Sequence, residues 1–210
     1  MDEIVKAAMA KWPNVPHCYG WLALDARGQW RMRDERCQAL QLPGDIIRHP
    51  TLIDFIHRNY SSDERGCWYF QNGPQRVYVD LDTTPYIART IDKNESTTDD
   101  LLSLQLHTQQ AMPPVIAATM DADGHLVLAS EKLLALVDDR DLAQVASHLQ
   151  IDGHPVSDET LFGWLASEGQ HHALTLRLDK RSDEVIAVQF STIPLQMAAY
   201  RFISHPQPQP

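Results

Sequence analysis

Two aspartates one residue apart, Asp80 and Asp82 in VYVDLDTTPYIART (residues 77–90), are the pair in this chain best spaced for covalent chemistry. At the end of an apolar strand, one carboxylate can attack a phosphoryl group. The other can act as general acid while a divalent cation bridges substrate and acids. Strand alternation opposes this use. Val77, Val79 and Leu81 would turn inward, leaving Tyr78, Asp80 and Asp82 as a solvated outward row. A later stretch, IAVQFSTIPLQMAA (186–199), repeats the layout with Ala187, Gln189 and Ser191 at the outward positions.

The run Asp80-Leu81-Asp82-Thr83-Thr84 resembles the first motif of haloacid-dehalogenase phosphatases, which implies a metal-dependent phosphohydrolase with Asp80 as nucleophile. In that family the motif closes a parallel βα unit. Here it follows a hairpin turn and runs into Pro85, and the C-terminal half has no lysine motif leading to a paired-acid strand.

Other chemistry has less support. Of ten histidines, His171 and His172 are adjacent and so point to opposite faces of a strand. His49 and His154 precede helical segments and read as structural, so no metal ligands are assigned. There is no G-x-S-x-G elbow, and Cys18, Cys37 and Cys67 lack a motif that fixes a histidine partner. QNGPQ has one glycine and no Walker lysine. No catalytic residue and no cofactor is therefore expected. What remains is arginine beside aromatics: Arg58, Arg65, Arg76 and Arg89 lie close in sequence to Trp68, Tyr69, Tyr78 and Tyr86. The candidate binding residues are Arg76, Tyr78, Asp80, Asp82, Trp68 and Arg58, facing a small ligand or a protein. Self-association through strand edges is a third, structural reading.

Charge locates that surface. Residues 1–95 carry 12 lysines and arginines against 13 acids, and residues 96–210 carry 6 against 15, giving −1 and −9. The acidic second half disfavours nucleic acid. Four of the five tryptophans (Trp12, Trp21, Trp30, Trp68) lie in the first half. No stretch approaches the ~20 apolar residues of a membrane span. An acidic N-terminus and an odd number of cysteines read as a cytoplasmic chain with reduced thiols.

These residues must be positioned by an α+β framework, and the chain carries signs of an internal repeat. At an offset of 109, Val77, Val79, Leu81 and Pro85 fall on Ile186, Val188, Phe190 and Pro194. Leu52, Ile53, Phe55 and Ile56 fall on Leu161, Phe162, Trp164 and Leu165. At an offset of 96, LDARGQW (24–30) meets MDADGHL (120–126), each reading as strand, glycine turn, strand. The expected fold is a tandem hairpin–helix–hairpin unit with mostly antiparallel sheets and helices on one face.

Periodicity predicts a helix over 2–12, strands over 18–24 and 29–33, irregular chain over 34–49, a helix over 51–59, and strands over 67–71 and 76–82. A strand is expected within 101–108. The second copy is expected to have strands over 115–120 and 125–129, helices over 130–137, 140–148 and 157–167, and strands over 172–178 and 184–191. The predicted domains are 1–95 and 96–205, with 91–100 as connector and 206–210 as a disordered tail. The order of hairpin, Leu52-Ile53-Asp54-Phe55 helix, Trp68-Tyr69-Phe70 hairpin and Thr84-Pro85-Tyr86-Ile87-Ala88 resembles proteobacterial proteins of unknown function built from two similar α+β domains. Some of these are discussed as signalling components. The resemblance implies the two-repeat fold and a bacterial source, and it assigns no reaction.

Overall fold

The computed structural model describes residues 1–91 and 101–208, so the predicted connector lies almost wholly outside the described residues. It is a mixed α+β chain of mostly antiparallel sheets, as the patterning predicts, and forms two compact units. The first comprises residues 1–85 with 197–208, the second residues 86–196. No helix among the described residues is long and apolar enough to cross a membrane.

The first unit contains α1 (Glu3–Lys11), β1 (Cys18–Leu24), β2 (Trp30–Met32), α2 (Glu35–Ala39) and β3 (Asp45–Ile46). It continues with α3 (Pro50–Arg58), β4 (Tyr60–Ser62), β5 (Trp68–Asn72) and β6 (Gln75–Leu81). Its sheet runs β3-β2-β1-β6-β5-β4, and β1 and β6 are parallel neighbours at the centre. The helix α3 starts where Pro50 supplies a pre-set φ and His49 Nδ1 accepts the Leu52 N–H at 3.4 Å. It lies on the sheet face bearing Leu22, Phe70 and Val77, with Phe55 and Phe70 edge to face at 5.4 Å. Registration puts Leu24, Trp30, Tyr60, Trp68, Val79 and Leu81 on that same apolar face.

The segment expected to be irregular over 34–49 contains α2 and β3. Asp34 caps α2 by accepting the Cys37 N–H at 2.8 Å, in a helix too short for a periodic signal.

The second unit contains β7 (Tyr86–Thr90), β8 (Leu104–Leu106), β9 (Ala117–Met120), β10 (Leu126–Ala129) and β11 (Leu134–Val137). After these come α4 (Leu142–Ala146), β12 (Leu149–Ile151), β13 (His154–Pro155), α5 (Asp158–Ala166), β14 (Leu174–Leu176) and β15 (Ile186–Phe190). The sheet runs β13-β12-β14-β15-β9-β10-β11-β7-β8. The helix expected over 130–137 is instead strand β11. Every one of its four residues is buried, so neither a period of 2 nor one of 3.6 can show. The core gathers Met120, Leu126, Leu128, Val137, Trp164, Leu174, Leu176 and Val188. Ser157 and Thr160 form a capping box at the start of α5, and His154 lies in β13 ahead of it.

One pattern is common to both sheets. β1, β2 and β6 have the same order and sense as β9, β10 and β15: an antiparallel hairpin whose first strand pairs parallel with a later strand. Leu24 is level with Leu81, and Met120 with Phe190. The hairpin loops also match. The Asp25 carboxylate accepts N–H groups from Arg27 and Gln29, and Asp121 accepts from Asp123 and His125. A third loop in the first unit, Asp63 to Cys67, is built the same way.

The chain crosses back through α6 (Ile193–Tyr200), and residues 201–208 dock on the first unit. Phe202 is buried; of the predicted tail 206–210, Pro206 is buried and Gln207 and Pro208 are exposed, while Gln209 and Pro210 lie outside the described residues. The contact division at 85/86 differs from the boundary predicted at 95/96. Thr90 and Arg89 are already ladder partners of Leu104 and Gln105 in the second sheet.

Candidate binding face of the first unit

The sheet face opposite α3 is polar and carries Ala23, Tyr69, Gln71, Arg76, Tyr78 and Asp80. It was expected to be solvated, but it is largely covered. Tyr78 is 2% exposed and Asp80 8%. β6 is a central strand, so both its faces are enclosed, one by helix and apolar side chains and the other by polar side chains and the returning C-terminal segment.

Tyr19 alternates with Cys18 onto this face, and the register shift between Cys18 and Leu22 sets it level with Tyr78. Gly20 lies in that irregularity at φ +77, and a Cβ there would meet Gln38 Oε1 at 2.8 Å. Glycine both permits the backbone and admits the Gln38 side chain. Tyr19 stacks on Tyr78 with centroids 4.5 Å apart and planes 8° apart.

Two clefts share this face. The first, about 860 Å³, is lined by His17, Tyr19, Asp63, Arg65, Tyr69, Arg76, Tyr78 and neighbours including Pro208. The Arg76 guanidinium lies 4.5 Å over the Tyr69 ring, and Arg65 lies 5.5 Å over Tyr78. The Asp63 carboxylate is fully engaged: Oδ1 accepts the Arg65 and Cys67 N–H groups, and Oδ2 accepts from the Tyr78 hydroxyl at 3.0 Å and Arg65 Nε at 3.1 Å. Burial raises the Asp63 carboxyl, but these donors outweigh it and hold the group below the usual carboxylate range. Arg65 is thus neutralised by Asp63, whereas Arg76 has no carboxylate within ion-pair distance among the described residues. The positive field is visible at His17, whose imidazole is pushed down by burial and further by Arg76 and Arg65.

The second cleft, about 710 Å³, is lined by Tyr19, Gly20, Arg33, Gln38, Asp80, Asp82 and His205 among others. Asp80 is ion-paired with Arg33, and His205 Nδ1 lies 3.8 Å from its other oxygen. Burial pushes the Asp80 carboxyl above its ordinary value although Arg33 and His205 pull it down. Asp82 is raised by burial and by neighbouring Asp25. A carboxylate clamped to a guanidinium is a poor nucleophile, so this geometry does not favour the phosphohydrolase reading of Asp80 and Asp82.

The six sequence candidates therefore separate. Arg76 and Tyr78 line one cleft, and Asp80 and Asp82 the other. Trp68 is on the opposite, apolar face, tilted against Tyr60 at 4.9 Å, and Arg58 pairs with Asp2 at 3.3 Å. Pattern reasoning missed Tyr19, Arg33, Asp63 and His205. A glycine inside a strand signals a bulge and could have flagged Tyr19. The Asp63-Glu-Arg-Gly66 loop could have been matched to Asp25-Ala-Arg-Gly28. Nothing local could place Arg33 or His205 beside Asp80, because those contacts span 47 residues and more.

A family model described as a protein of unknown function (DUF2946) matches residues 1–207. Two solved structures of DUF1285 family proteins are similar to the chain at 13% identity. The one from Silicibacter pomeroyi DSS-3 has a TM-score of 0.49, covering 93% of this chain and 98% of its own. The one from Shewanella baltica OS155 has a TM-score of 0.39, covering 59% and 87%. No curated protein matches the chain.

Proposed function

For a chain that belongs to this family, whose description carries no activity, we propose a function from its own geometry: a non-catalytic binding module whose first unit captures an anionic ligand. The observation that carries it is Arg76, a guanidinium with no carboxylate partner among the described residues, held on the Tyr69 ring at the wall of a cleft of about 860 Å³. Cavities of a few hundred to 1,000 Å³ suit small ligands or a peptide segment. A guanidinium pre-positioned on an aromatic ring forms short, charge-assisted bonds to carboxylate or phosphate with little loss of side-chain freedom. Half-buried Tyr19 lines the same cleft and offers an aromatic ring beside it, which favours an anion carried on a ring or chain over a bare ion.

Phenyl phosphate is a suitable probe. Calorimetric titration is expected to give a saturable isotherm with the wild-type chain. Arg76→Ala should weaken it at least ten-fold while shifting the melting temperature by less than about 2 °C. A flat wild-type isotherm would retire the reading.

The two units are further read as copies of one module. Support comes from the shared strand order and from the matched registers Leu24/Leu81 and Met120/Phe190, which follow the same offsets of 96 and 109 seen in the sequence. The second copy has Ala187 and Gln189 where the first has Tyr78 and Asp80. On this reading the module is bacterial and cytoplasmic, and ligand capture belongs to the first copy alone.

A further inference from the structure

The C-terminal segment enters the polar face in a particular way. β5 begins at Trp68, so β6 loses its neighbour near its end, and residues 203–204 fill that gap. Ile203 forms a parallel bridge with Cys67 and donates its N–H to Gly66 O at 3.0 Å, while the Leu81 N–H donates to Ser204 O at 2.8 Å. Gly66 is at φ +80, and a Cβ there would come within 1.8 Å of Arg201 O, so this approach requires glycine. Beyond this stem the chain changes character. Pro206 is buried, but His205, Gln207 and Pro208 are exposed. His205 and Gln207 border the Asp80 cleft, and Pro208 borders the tyrosine cleft.

We propose that residues 204–208, Ser-His-Pro-Gln-Pro, occupy in cis a groove whose partner in trans is an extended peptide with prolines at alternate positions and a basic side chain ahead of the first. The mode combines two known devices. A short stretch of backbone is added to an open strand edge, and proline-spaced chain then runs past aromatic rings. Alternate prolines fix φ and remove N–H groups, so little conformational freedom is lost on docking. Pro208 lines the same cleft as half-buried Tyr19, which stacks on Tyr78 through one face and supplies the other. Asp80, 3.8 Å from His205, supplies the acceptor for the basic side chain. A tethered segment competes at an effective concentration in the millimolar range, so the chain that carries it resists peptides in trans. The inference rests on the reading of this face as a binding surface and adds the class of a second occupant.

The test compares the chain through Pro210 with one ending at Ile203, which keeps Phe202 and the Ile203–Gly66 hydrogen bond and leaves the Leu81 N–H for the serine of the peptide. The acetylated peptide Ser-His-Pro-Gln-Pro is titrated into each while backbone amide NMR signals are followed. Shifts at Tyr19, Tyr78 and Asp80 are expected in the shortened chain, with an affinity at least ten-fold higher than in the longer chain. They should be lost when both prolines of the peptide are alanine. Equal response in both chains, or none in a shortened chain whose melting curve shows it folded, overturns the proposal. A parallel titration with phenyl phosphate separates the claims. If the anion binds and the peptide does not, only the peptide groove falls. If neither binds, the binding face falls with it.

Discussion

Asp63 shows how much can depend on one carboxylate. Its two oxygens close a hairpin loop, anchor Arg65 and receive the Tyr78 hydroxyl, so it shapes the cleft wall. Because its folded value lies below that of an unfolded aspartate (~3.9), the native chain binds fewer protons there. Its stabilisation is therefore present above that unfolded value and lost as pH falls through the folded one. Asp63→Asn keeps an acceptor but removes the charge, and should cost about 1–2 kcal/mol at pH 7. The melting-temperature gap to wild type should narrow as pH falls below the unfolded value of ~3.9. A gap unchanged across that range would mean the charge contributes nothing.

At the scale of elements, the strands and helices whose apolar residues alternate or recur cleanly were legible in the sequence: β1, β6, α3, α5 and β15 all lie where periodicity places them. The elements that escaped do so for physical reasons. β11 is enclosed on both sides and has no alternation to read. β4, β12 and β13 have two or three residues each, and β7 follows Pro85 so closely that it reads as the end of the preceding hairpin. The binding face was half legible. Arg76 and Tyr78 could be picked out from their residue types, but Tyr78 is covered by Tyr19 from a strand far back in the chain, and Asp80 is flanked by His205 from a segment more than 120 residues away. Gly66 is the element-level test of that docking. Gly66→Ala places a methyl group against the Arg201 carbonyl, and should destabilise by about 2 kcal/mol or more. It should also speed hydrogen exchange at Ile203 and Leu81, whose amides hold the stem. Unaltered exchange at those two amides would show the stem is held by something else.

On the scale of the molecule, each unit has its own interior. In the second, Leu176 is fully buried among Leu174, Trp164 and Val188, and Trp164 is its sole tryptophan, with Nε1 donating to His172 O at 3.0 Å. Leu176→Ala should cost about 2–5 kcal/mol. In a chain where Trp12, Trp21, Trp30 and Trp68 are phenylalanine, the loss should appear as an earlier Trp164 fluorescence transition in urea. No shift in that midpoint would contradict the core assignment.

The return of residues 201–208 to the first unit has a consequence during synthesis. A ribosome finishes residues 1–85 long before it makes Ile203 and Ser204, with the whole second unit between them. At typical rates of about 5–20 residues per second, the gap beside Leu81 stays open for several seconds. For that interval the nascent first unit exposes an unfilled strand edge, and any chaperone or neighbouring chain that reads open edges meets it before its own closing segment exists.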